Sequence, residues 1–359
     1  MPSALSSFGS SSLVLPIIGL GMAAAFVSRR RMTQLYLLAT RTVASAASAA
    51  PTLNGILYRY KHADWPAPLQ AFESPMGHQH KRFCVYVGGL TDGLLACSYV
   101  EALGPALDQR GWALVQPVLT SSYAGFGCSS LAKDAAEIAE LLAHLTRREG
   151  PDVSFAIIGH STGCQDAVTL LKTAPPELRC KIRAAVLQAP VSDRESKTLE
   201  PDGDDREKLL AEAERMVAAG RGEDLLSEKY YGFVPMSASR YASLVGRGGP
   251  DDVFSSDFSN DELRALLNHM GTSGQRKTAP QHPGLRTLFC FSGGDEYVPP
   301  SVDVAELSAR FVAAAGGAEN GASAVILEGA SHNLATPPAA CGQFVEWACR
   351  TLDDAVREG

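Results

Sequence analysis

The chain has 359 residues, 45% of them hydrophobic and 20% charged, with a net charge of −7. This length and composition suit a globular protein with a large core, and the acidic balance gives no footprint for nucleic acid. The eight cysteines form no C-x-x-C pair and several sit in apolar runs, which reads as free buried thiols, with neither a disulfide framework nor a zinc site and no bound metal or organic cofactor.

Residues 1 to 50 differ from the rest. No acid precedes Asp64, Ser and Ala abound, and Arg29, Arg30, Arg31 and Arg41 supply positive charge. This composition predicts an organelle-targeting leader, for chloroplast or mitochondrion, with residues 51–359 as the folded domain. The apolar run Leu13–Val27 has 15 residues and contains Pro16, short of the roughly 20 needed to span a bilayer. Membrane contact through this segment is the alternative, and a cytoplasmic protein the third.

From Gly55 onward the pattern is regular. Strand-like runs lie at Ile56–Tyr60, Leu69–Glu73, Phe83–Val87, Ala113–Gln116, Val153–Ile158, Ala184–Gln188, Thr287–Phe291 and Ala324–Leu327. The first two have no helix between them and predict an antiparallel edge hairpin. Helical periodicity separates most of the later ones. Leu131, Ala135, Ile138, Leu142 and Leu145 mark one helix behind a serine cap. The alternation predicts an α/β fold: a mostly parallel, eight-stranded sheet with helices on both faces. Between about residues 193 and 283 the chain turns polar, with no obvious buried strand. This stretch predicts a helical lid, with Tyr230 of "KYYGF" and Phe254 as candidate substrate contacts.

The segment "GHSTG", Gly159 to Gly163, follows the buried run "VSFAIIG" and precedes the helix-compatible "CQDAVTLLK". A G-x-S-x-G at such a junction predicts a nucleophile elbow, a sharp turn that exposes Ser161. A serine hydroxyl needs a base, and an α/β-hydrolase supplies its triad in the order Ser, acid, His. "SGGDEYVPP" offers Asp295 after a strand and a Gly pair, with Glu296 as the second candidate. "LEGASHNL" offers His332 after the last strand. The oxyanion hole needs two backbone N–H donors. Thr162 is one, and Leu90 in "VGGLTDG" the other, with Gly89 next. His160 lies beside the site. Tyr123 and Phe126 of "SSYAGFGCSS" line the pocket or pack in the core.

Taken together, "YVGGLTDGL", "SSYAGFGCSSL", "GHSTGCQD", "QAPVSDRE", "RYASL", "DDVFSSDFSNDEL", "SGGDEYVP" and "SHNL" resemble a fungal and plant family of α/β-hydrolase-like proteins. Most of its members are uncharacterised; one is a fungal esterase that cleaves fusarinine-type siderophore esters. The likeness runs from about residue 55 to residue 350. It implies the α/β-hydrolase fold, a triad of Ser161, Asp295 and His332, and serine hydrolysis through an acyl-enzyme. The expected activity is therefore hydrolysis of carboxylic esters, thioesters or lipid esters of small molecules. The substrate of the siderophore esterase is not carried over, because the first 50 residues lie outside the likeness. A non-catalytic scaffold that binds a ligand or partner, and an acyltransferase, are the competing expectations.

Overall fold

Side chains of a strand alternate between two faces, and here that alternation divides the core in two. The computed structural model describes residues 52–61, 68–74, 80–196, 203–227 and 233–357. The predicted leader, residues 1–50, and Tyr230 lie outside the described residues. All eight predicted runs become strands, with ends slightly moved: β1 Ile56–Lys61, β2 Leu69–Ser74, β3 Arg82–Val87, β4 Ala113–Val118, β5 Ser154–His160, β6 Ile182–Gln188, β7 Arg286–Ser292 and β8 Ala322–Leu327. They form one sheet in the order β1-β2-β4-β3-β5-β6-β7-β8. The β1–β2 and β2–β4 pairs are antiparallel and every later pair is parallel. The expected edge hairpin and mostly parallel sheet are both present.

Phe83, Val85, Phe155, Ile157, Phe289 and Phe291 point to one face. Cys84, Tyr86, Ala156, Ile158, Leu288 and Cys290 point to the other. Helices α1 (Tyr99–Asp108) and α10 (Pro338–Arg357) cover the second face, through residues such as Leu103 and Phe344. Helices α2 (Leu131–Glu149), α3 (Gly163–Thr173) and α9 (Val304–Ala314) cover the first. In α2 the Ser130 side chain accepts from the Lys133 N–H at 3.3 Å, the predicted cap. The short α4 (Pro176–Arg179) leads into β6. Among the described residues no helix is long and apolar enough to cross a membrane.

The stretch between β6 and β7 holds α5 (Gly203–Ala218), α6 (Ala238–Val245), α7 (Asn260–Leu267) and α8 (Thr272–Thr278). Its two halves have different surroundings. Ala213, Met216, Met236, Tyr241 and Leu244 form a separate cluster with Phe126, and Leu90 packs against it. Arg240 fastens this half: its guanidinium pairs with Asp251 at 2.6 Å, both side chains 1% exposed, and its Nε donates to the Phe126 carbonyl. In the second half Val253, Phe254, Phe258, Leu263 and Leu267 join the main core under the sheet. The polar composition of 193–283 hid this division, because short amphipathic helices carry few apolar residues each.

Phe254 is accordingly a core residue more than a lid residue. It is 1% exposed, and its ring centroid lies 5.5 Å from that of Phe311. Phe254→Ala leaves a cavity beneath the sheet, and the expected loss of stability is about 3–5 kcal/mol. Chemical denaturation of the two proteins measures it. A variant of unchanged stability with an altered ranking of substrates returns Phe254 to the lid.

Candidate active site

Helix α3 can start tight against β5 only because two glycines lack side chains. A Cβ on Gly159 would stand 2.3 Å from the Gly163 carbonyl oxygen, and one on Gly163 would stand 2.2 Å from that of Val87. Between them Ser161 adopts φ +53°, a left-handed conformation uncommon for a side-chain-bearing residue. Its N–H donates to the Gln188 carbonyl and its own carbonyl accepts from Cys164 N–H. Strand, strained serine and helix together have the form of a nucleophile elbow.

Since β5, β6, β7 and β8 are parallel neighbours, the loops leaving them open at one edge of the sheet. Ser161 follows β5, Asp295 follows β7 and His332 follows β8. The His332 Nδ1 lies 2.8 and 3.0 Å from the two Asp295 carboxylate oxygens. Asp295 also accepts from the Tyr297 N–H at 3.0 Å. Glu296 does something else: its carboxylate accepts the backbone N–H of His332 at 2.9 Å. Of the two acids, then, Asp295 meets the imidazole and Glu296 holds the loop. With Nδ1 donating to Asp295, Nε2 is the nitrogen left to take a proton.

The His332 ring lies between the rings of His160 and Tyr297, at centroid distances of 4.9 and 4.5 Å. His160 is the chain neighbour of Ser161, so the imidazole stands beside the elbow. Among the described residues no hydrogen bond joins the Ser161 hydroxyl to His332; such bonds are often loose before substrate arrives.

Gly89 packs directly on the serine: a Cβ there would lie 2.6 Å from the Ser161 Cβ. Its N–H donates to Asp92 Oδ2 at 2.7 Å. It is therefore engaged, which removes Gly89 from the candidate oxyanion donors. Asp92 orders this loop, and Thr91 takes φ +68° within it. Among the described residues neither the Leu90 nor the Thr162 backbone N–H is engaged in a hydrogen bond.

The remaining candidates divide. His160 is 4% exposed, with its Nδ1 2.6 Å from Gln188 Oε1. It is buried beside Ser161, where it packs under the site and offers little surface to a substrate. Burial opposes its charge, but Cys97 and then Asp92 outweigh that and raise its pKa to about 9. Phe126, 1% exposed, belongs to the α5–α6 cluster, so of its two readings the core one holds. Tyr123 is 54% exposed and its N–H donates to the Asp92 carbonyl, which keeps it against the loop after β3.

The structure adds two residues to the site. Gln188, fully buried at the end of β6, accepts from Tyr99 and donates to the His332 carbonyl at 2.9 Å. It ties the loop carrying His332 to the strand beside the elbow. Its only sequence signal is a polar residue closing a wholly apolar run. Tyr297 lies over the imidazole and also lines a mainly apolar cavity with Pro190, Val191, Phe254, Val298 and Leu307.

A family model described as "Protein of unknown function (DUF1749)" matches residues 44–357. The chain is 32% identical over 283 residues to a UPF0613 protein of Schizosaccharomyces pombe, covering 76% of this chain and 86% of that one. It is 31% identical over 332 residues to the fusarinine C esterase sidJ of Aspergillus fumigatus, covering 79% and 90%. Among solved structures it is similar to the siderophore hydrolase EstB from Aspergillus fumigatus, with a TM-score of 0.68 at 28% identity, over 86% of this chain and 99% of that one. The fold is that of the α/β-hydrolases.

Proposed function

Because the chain belongs to the DUF1749 family, and is similar over most of its length to proteins named as an esterase and a siderophore hydrolase, we propose that it hydrolyses carboxylic esters through an acyl-enzyme on Ser161. The observation that supports this most is the His332–Asp295 pair beside a serine held at φ +53°. A left-handed serine, two closely packed glycines and a buried imidazole–carboxylate pair at one sheet edge favour this reading over a scaffold that only binds.

In this reading His332 Nε2 takes the Ser161 proton as Oγ attacks the ester carbonyl. The carbonyl oxygen becomes an oxyanion, held by the N–H groups of Leu90 and Thr162. Collapse breaks the bond to the alcohol, which leaves with the proton from His332. Water then adds to the acyl-enzyme by the same route: His332 takes its proton, and the acid departs as the proton returns to Ser161. Asp295 orients the imidazole and stabilises its charged form. The α5–α6 cluster packs against Leu90 beside the proposed oxyanion donors.

The test is labelling with a fluorophosphonate, which needs an activated serine, followed by a panel of acyl esters that includes fusarinine C. The expected outcome is one phosphonate per chain, on Ser161, and turnover of at least part of the panel. A protein that resists the phosphonate and cleaves no ester overturns the reading.

A further inference from the structure

Behind the oxyanion loop three different metal-ligating side chains converge. Asp92 comes from the loop after β3, Cys97 from just ahead of α1, and His160 from the end of β5. Asp92 Oδ2, Cys97 Sγ and His160 Nε2 all lie within 4.8 Å of one another, and the His160–Asp92 pair is 3.9 Å apart. We propose that these three residues bind one divalent transition-metal ion of the zinc class.

The donor set sets the class of ion. A thiolate sulfur, an imidazole nitrogen and one carboxylate oxygen suit a borderline-soft ion such as Zn²⁺, and suit poorly the all-oxygen shells of Mg²⁺ and Ca²⁺. Zinc bonds of about 2.0–2.3 Å put tetrahedral ligands roughly 3.3–3.7 Å apart. The donor separations, at most 4.8 Å, therefore shrink by no more than about 1.1–1.5 Å on binding an ion, within reach of side-chain rotation. Three protein ligands leave a fourth position for water.

The surroundings already orient the donors as outer-shell partners orient metal ligands. Gln188 engages the other imidazole nitrogen, Nδ1, at 2.6 Å, which turns Nε2 toward Cys97 and Asp92. Gln188 is itself fixed by Tyr99 and by the His332 carbonyl. Asp92 is held through the Gly89 N–H, and a carboxylate oxygen has a second lone pair for an ion. Cys97 and His160 are 3% and 4% exposed, while the Asp92 side chain keeps 21% of its surface, giving a path from solvent. An ion here would touch both walls of the oxyanion loop: Asp92 anchors Gly89, and His160 precedes Ser161.

The experiment uses the full chain, freed of metal with a chelator and titrated with Co²⁺. Binding at the site gives a sulfur-to-cobalt charge-transfer band and intense visible bands of a four-coordinate ion, and one equivalent of Zn²⁺ removes both. Cys97→Ser is expected to abolish the charge-transfer band, and Cys97→Ser and Asp92→Asn each to weaken Zn²⁺ binding at least about tenfold. Cys128→Ser, at an exposed cysteine, leaves the spectrum unchanged. At a Zn²⁺ concentration that raises the parent's thermal midpoint, the rise in Asp92→Asn is smaller, so that variant decides the matter even where Cys97→Ser fails to fold. No thiolate band in the parent, or a band that survives Cys97→Ser or vanishes in Cys128→Ser, overturns the proposal. None of these readouts requires turnover, so they stand apart from the assignment of Ser161.

Discussion

Ser161→Ala is expected to lower ester hydrolysis by about 10⁴-fold or more while the protein stays folded. The size follows from how a triad works. Serine, histidine and carboxylate act as a unit, so removing the nucleophile forfeits nearly all that the other two supply. What survives is binding and the proposed oxyanion donors, Leu90 and Thr162. The fold is spared because the Ser161 hydroxyl makes no hydrogen bond among the described residues, and alanine tolerates the left-handed backbone no worse than serine does. Surface-type changes of this kind alter stability by roughly 0.5 kcal/mol or less. Steady-state kcat/KM on an ester cleaved by the parent, together with a thermal melt, measures both parts. Retention of most of the activity removes Ser161 as the nucleophile.

Asp295→Asn is the second large effect, a fall in kcat of about 10⁴-fold. The carboxylate accepts from His332 Nδ1 and fixes the proton there, leaving Nε2 free to act as base. An asparagine amide in the same place can donate to Nδ1, which moves the imidazole proton to Nε2 and removes the base. Geometry changes little, since the Asn carbonyl still accepts the Tyr297 N–H. Glu296→Gln is the control. Its carboxylate holds a backbone N–H, which an amide oxygen also accepts, so a loss within about tenfold is expected there. The reverse order, with Glu296→Gln inactive and Asp295→Asn active, would transfer the acid's role to Glu296.

Much of this was legible in the order of residues. Strands announce themselves by short Val-, Ile- and Phe-rich runs, and helix α2 by leucines at three- and four-residue steps, because both patterns record which faces are buried locally. The elbow was legible for a similar reason. Gly159, Ser161 and Gly163 sit within one turn, and the clash each glycine avoids involves neighbours close by or the adjacent strand. The order of Ser161, the acid pair and His332 was likewise visible along the chain.

What only the tertiary structure decided are contacts between distant segments. Asp295 and Glu296 are adjacent in sequence, and which one meets His332 depends on how the loops after β7 and β8 face each other. The Gly89 N–H looked free until Asp92 folded back onto it. Phe254 lay in a polar stretch, and only the packing of its helical neighbours under the sheet makes it core. Cys97, Asp92 and His160 share no ligand spacing, since three separate elements bring them together. Local patterns record the pitch of a strand or helix. The meeting of side chains from different elements is set by how those elements cross, and no short window of residues encodes that.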